Sequence, residues 1–122
     1  MGEWPRRLAV GLAAAQLADV VGNALVPRAA LDEHLDRLGV PERLRLALPV
    51  IKIAGSAGLV VGIKAPRLGA VTAACLVGYY AAAVAFHADA GDSPVVWLPA
   101  LAFGAAAATA FVAFSTSGTA AA

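Results

Sequence analysis

Between Leu68 and His87 the chain reads LGAVTAACLVGYYAAAVAFH, about 19 residues without a charge and then a histidine. At 1.5 Å rise per helical residue, a run of that length matches the roughly 30 Å hydrocarbon thickness of a bilayer. It reads as a membrane-spanning helix, and the rest of the chain must be compatible with that. Composition agrees, being 61% hydrophobic and 14% charged with mean hydropathy +0.78, whereas soluble domains sit near 45–50% and 25%. A chain of 122 residues has too much surface for its volume to hide such an excess. Lipid has to cover it.

Three further apolar runs, separated by proline- and charge-containing stretches, place spans near 7–26, 46–63, 68–87 and 95–114. The expected fold is all-α, a four-transmembrane-helix bundle forming a single membrane domain over 1–122. Arg6-Arg7 followed by Leu8–Ala18 also fits a signal peptide, but the apolar character continues to Val26, past an ordinary h-region, and Pro27 ends it. Between the first two spans, Leu31, Leu35 and Leu38 recur at helical spacing until Gly39 and Pro41 stop the pattern. That segment, with four arginines against Asp32, Glu33, Asp36 and Glu42, is expected as a short amphipathic surface helix or else a plain connecting loop. His34 on it reads as a surface histidine. The tail after Phe114 is small and polar, and is expected to be disordered.

Charge narrows the partners. The net charge is +1 and the nine Lys/Arg form no stripe, so no nucleic-acid partner is expected. Cys75 is the only cysteine, which excludes an intrachain disulfide and c-type haem attachment. Arg6, Arg7, Lys64 and Arg67 fall on the side of the termini, and their placement in short segments favours both termini in the cytoplasm of a cell bounded by a cytoplasmic (inner) membrane.

Polar residues inside the spans point to a site. Gln16, Asp19 and Asn23 follow at i, i+3 and i+7, one stripe on an otherwise apolar cylinder. An acid there costs on the order of 2.5–3.5 kcal/mol on insertion scales, so Asp19 needs a partner or a watered cavity. In the second span Lys52, Gly55, Ser56, Leu59 and Gly62 share a face, with Gly58 and Gly62 as a small-xxx-small pair for close helix approach. Tyr80 and His87 share a face of the third span, with Tyr79 beside them, and Trp97 stands near the start of the fourth as an interfacial aromatic.

From Leu48 the run LPVIKIAGSAGLVVGIKAPRLGAVTAACLVGYYAAAVAFHADAGD resembles the DoxX-like family of small four-helix membrane proteins. The likeness lies in Lys52 opening the second span, Gly55, Gly58 and Gly62 through it, the hairpin Pro66-Arg67-Leu68-Gly69, and His87 followed by Gly91-Asp92. What it implies is a compact bundle in the cytoplasmic membrane of a bacterium. Members are linked to quinone-coupled sulfur oxidation and to thiol redox complexes. This chain lacks the paired cysteines a thiol-exchange role would want.

With the spans running alternately up and down, Asp19, Asn23, Lys52, Ser56, Tyr80 and His87 converge at one depth, toward the outer face. One reading is a buried Asp19–Lys52 ion pair, hydrogen-bonded by Asn23, Tyr80 and His87, that only fixes helix register. The other is an outer-facing pocket for a small hydrophobic molecule. Asp19 and His87 would be its acid and base for an isomerisation or cyclisation, and Gln16, Asn23, Lys52, Ser56, Tyr79, Tyr80 and Trp97 its binding residues. Such chemistry is cofactor-independent, although a histidine and a tyrosine also suit a quinone's carbonyls. No metal is expected, since His87, Asp89 and Asp92 lack a second histidine at fixed spacing. From another class, the chain would be an accessory subunit of a quinone-linked or other membrane complex, or a homo-oligomer, docking by its small-residue faces.

Overall fold

The computed structural model describes the backbone from Met1 to Ala121 and the side chains to Ser117. Among the described residues six helices follow in order: α1 (Glu3–Leu25), α2 (Arg28–Leu38), α3 (Glu42–Arg45), α4 (Ala47–Gly62), α5 (Pro66–Asp89) and α6 (Pro94–Ala121). Four rods are long and apolar enough to cross a membrane: Glu3–Leu25, Glu42–Gly62, Pro66–Asp89 and Pro94–Ser117. This is an all-α membrane bundle with a short helix, α2, between the first two spans.

The spans are longer than their apolar runs suggest. α1 starts four residues before the expected Arg7, and α3 adds a charged turn that leads into α4. Helices end where the backbone forbids another turn, not where hydropathy falls. Pro27 follows α1, and Pro66 opens α5 at a position where its missing N–H costs nothing. The tail also departs from expectation: α6 continues past Phe114, and the Thr116 hydroxyl donates to the Val112 carbonyl at 3.0 Å. Ala122 lies outside the described residues.

The four spans close a ring in which α1 packs on α4, α4 on α5, α5 on α6, and α6 back on α1. Glycine sets the tightest of these contacts. A Cβ on Gly62 would lie 2.4 Å from the Gly69 Cα, one on Gly58 2.4 Å from the Thr72 hydroxyl, and one on Gly55 2.7 Å from a Leu76 methyl. The glycine face of α4 is therefore the seat of α5, and Phe114 fills the notch left by Gly69. Around it lies a small-residue core of Ala9, Leu12, Ala13, Leu59, Ala73, Leu76, Tyr80, Ala107, Ala110 and Phe114. Val10, Leu17, Val21, Ile53, Val60, Val71 and Val112 point outward, where acyl chains cover them.

Two short structures shape the end of the bundle away from the termini. α2 stops at Gly39, whose φ of 73° is left-handed, and Val40 N–H returns to the Leu35 carbonyl at 3.1 Å. α5 stops in the same way at Gly91 (φ 79°), with Asp92 N–H bonded to the His87 carbonyl at 3.0 Å. That second turn folds Asp92 back over His87.

Candidate functional site

A cleft of ≈ 940 Å³ opens at this end of the bundle. Spans α1, α4, α5 and α6 form its inner walls, and α2 with α3 form its rim. Asp19, Asn23, Lys52, Tyr79, Tyr80 and His87 all line it, among apolar groups such as Leu48, Ile51, Phe86 and Phe103. Gln16 and Ser56 lie beneath it, and Trp97 is not part of its lining.

The polar residues divide into two groups by depth. In the lower group, the Tyr80 hydroxyl donates to Gln16 Oε1 at 2.7 Å, and Gln16 Nε2 donates to Ser56 Oγ at 3.1 Å. Ser56 Oγ stands 2.7 Å from the Lys52 carbonyl and 3.2 Å from the Ala13 carbonyl, either of which takes its proton. Gln16 is 0% and Ser56 2% exposed. The chain ties α1, α4 and α5 together inside apolar surroundings, where an unpaired amide or hydroxyl would cost about 1–3 kcal/mol. Among the described residues no buried side-chain nitrogen or oxygen lacks a partner.

Higher up, Lys52 Nζ donates to Asp19 Oδ2, and Asn23 Nδ2 lies 3.4 Å from the same oxygen. Side-chain exposure is 14% for Lys52 but 38% for Asp19. This pair faces open space. Tyr79 stands against Tyr80 edge-on at 5.0 Å, and Tyr80 stacks on Phe103 at 5.2 Å. The expected network around the ion pair is thus corrected in two places. Tyr80 bonds Gln16 instead of Asp19, because its side chain points below the pair. His87 bonds Asp92 instead, because the α5–α6 turn brings that carboxylate back to it.

At the mouth, His87 Nδ1 donates to Asp92 Oδ2 at 2.7 Å, and the Arg37 guanidinium reaches the same carboxylate from α2. Arg37 and His87 together hold the Asp92 carboxyl below its usual range, the arginine contributing more. His34 faces His87 with ring centroids 6.0 Å apart, and Arg37 Nη2 lies 3.4 Å from His34 Nδ1. Partial burial, then the neighbouring positive groups Arg37 and His87, lower the pKa of His34.

His34, Arg37 and Asp92 are residues that sequence reasoning did not place at the site. The amphipathic pattern of α2 located its apolar face, but nothing local indicates that its polar edge meets the turn after α5. Among the described residues no cluster of three or more His, Cys, Asp or Glu fit to hold a metal ion is present.

Fold and site together define a multi-pass helical membrane protein with an ion-paired cleft at one end. The sequence profile of the DoxX-like family matches residues 7–119, and the chain belongs to that family. No curated protein and no solved structure matches it.

Proposed function

We propose that the cleft binds a small lipophilic molecule whose polar head is recognised by Lys52, Asp19 and Tyr79. The observation that carries this reading is the contrast between the two polar groups. A polar device that serves only to lock helices needs no access, and Gln16–Ser56–Tyr80 is of that kind. Asp19 and Lys52 instead stand on an open, mostly apolar cavity, where an ammonium and a carboxylate can exchange their mutual bond for bonds to a ligand. The domain is the whole chain, 1–122. A quinone is one chemical class that fits, with carbonyls for Lys52 and Tyr79 and a ring for the aromatic wall. If the bound molecule is converted, Asp19 and His87 are the acid and base for an isomerisation or cyclisation. His87→Ala would then abolish turnover and spare binding.

Solvent extraction of the purified protein, followed by mass spectrometry, should return a stoichiometric lipophile from the wild type and none from Asp19→Leu/Lys52→Met. That pair of changes removes both charges together and leaves neither buried alone. Lipophile absent from both proteins would favour the accessory-subunit or homo-oligomer reading, which draws support from Gly11, Gly22 and Gly78, whose outer faces meet nothing within 4 Å. Against docking by the α4 glycines, that face is filled by α5.

Localisation to the cytoplasmic membrane, with both termini in the cytoplasm, rests on Arg6, Arg7, Lys64 and Arg67. In a Cys75→Ser background, an impermeant thiol reagent applied to intact cells should label Asp89→Cys and spare Glu3→Cys. The reverse pattern would invert the topology.

A further inference from the structure

We propose that α2 is a lid over the cleft, latched by Asp92, and that ligand passes beneath it when the latch opens. The inference rests on the binding reading above and concerns how that site is reached.

α2 is built to move as a unit. It is an 11-residue helix bounded by Pro27 and by the left-handed Gly39 followed by Pro41. Both boundaries are turn positions able to absorb a change in direction. Its inner face lines the cleft with Leu31, His34, Leu35 and Leu38, and its outer face is charged and exposed. Three features hold it down. One is a small apolar patch in which Leu35, Leu38 and Val40 pack with Leu31, Leu48, Phe86 and Ala90. A second is Arg45 of α3, which pairs with Asp32 and Asp36 of α2 and donates to the Val40 carbonyl; it ties α2 to the rim and not to the far wall. The third is the Asp92 carboxylate, which accepts from Arg37 of α2 and from His87 of α5.

The latch has a specific chemistry. The Asp92 side chain is 9% exposed, and the two donors it accepts come from the lid and from the wall. His87 orients the carboxylate, and Arg37 clamps onto it with both terminal nitrogens. The charged and titratable groups facing this junction are Arg37 and His34 from α2, His87 from α5, and Asp92 from the turn into α6. A single anion therefore bridges the lid and the wall. Loss of its charge deprives the Arg37 guanidinium of its counter-ion across the seam, and the seam should part.

The test uses full-length protein in nanodiscs with Trp4→Phe, which leaves Trp97 as the single tryptophan, and decylubiquinone as a quenching probe. Asp92→Asn should raise amide hydrogen exchange across residues 28–38. It should also speed quinone association and dissociation alike by about fivefold, with the equilibrium constant changed by less than about threefold. Arg37→Gln, which leaves the Asp92–His87 bond intact and alters a half-exposed side chain, should do the same to a lesser degree, and Arg37→Lys should recover part of the loss. Wild-type quinone binding with unaltered α2 exchange and unaltered association rates in Asp92→Asn and Arg37→Gln overturns the lid alone. Faster exchange with unchanged association rates also overturns it, because α2 would then move without controlling access. No quinone binding by the wild type counts against both the binding reading and the lid that depends on it.

Discussion

The two ends of this bundle are built from different materials. Near the termini, Gly62 meets Gly69 backbone to backbone and Phe114 seals the joint, so α4, α5 and α6 close without a gap. At the other end the same helices present Lys52, Tyr79, Phe86 and Phe103 to a cavity of ≈ 940 Å³. Side-chain size accounts for the difference. Two glycines let helix axes approach to contact distance, whereas long or aromatic residues hold them apart and leave space between. Pro99 stands inside α6 on the cleft wall and withholds one helical hydrogen bond there. One end is therefore a clamp and the other a mouth, within the same four rods.

Added bulk at the clamp should have the largest effect. Gly62→Val puts a Cβ 2.4 Å from the Gly69 Cα, a backbone atom that cannot rotate aside. We expect a loss of more than about 3 kcal/mol or failure to fold, read as a lowered melting temperature in detergent. Gly78→Ala, where nothing lies within 4 Å, should melt like the wild type.

Next in size is the ion pair. Lys52→Ala leaves Asp19 without its cation, and because Asp19 is 38% exposed the loss should be about 2–3 kcal/mol, below that of a fully buried pair. Asp19→Leu/Lys52→Met should regain most of that stability without regaining ligand. If the single and double variants melted alike, the pair would carry no coupling.

Smaller again is the chain beneath the cleft. Tyr80→Phe removes the donor to a buried Gln16 oxygen and should cost about 1–2 kcal/mol while leaving ligand affinity within about threefold. A larger loss of affinity than of stability would move Tyr80 from the scaffold into the binding surface.

The mildest effect is that of pH on the mouth. His34 has a pKa below its usual 6.5, so the unfolded or undocked segment takes up a proton first. Its contribution to docking is complete above 6.5 and declines as pH falls below it. The Asp92 carboxyl is also held low, chiefly by Arg37, and its contribution is lost only as pH falls below about 3.8 and through the lowered value. Protection of the amides across 28–38, taken relative to the intrinsic exchange rate at each pH, should therefore fall in two stages on acidification, the first confined to protein that retains His34. His34→Gln should abolish that first stage.

Much of the clamp was legible in the sequence, and less of the mouth. Gly55, Gly58 and Gly62 announce a close approach because a glycine stripe at helical spacing has few other structural uses in a span, and the structure seats α5 there. The need of Asp19 for a partner follows from the cost of a lone carboxylate in lipid, and Lys52 at the corresponding depth of the next span is its partner. The roles of Tyr80 and His87 were not legible. Both were expected around the ion pair, but helix rotation turns Tyr80 toward Gln16, and a left-handed glycine turns Asp92 toward His87.

Four spans, their approximate bounds, the leucine spacing of the α2 segment and the glycine face of α4 were determined by the sequence alone, because each depends on hydropathy, periodicity or backbone freedom within one element. The closed Gln16–Ser56–Tyr80 chain, the open Asp19–Lys52 cleft and the Arg37–Asp92–His87 latch were decided only by tertiary structure. Each of these requires the relative depth, rotation and turn geometry of helices far apart in the chain, such as the 55 residues that separate Arg37 from Asp92. A hydrogen bond depends on a few tenths of an ångström and a few tens of degrees, finer than any pattern of residue types along a helix can specify.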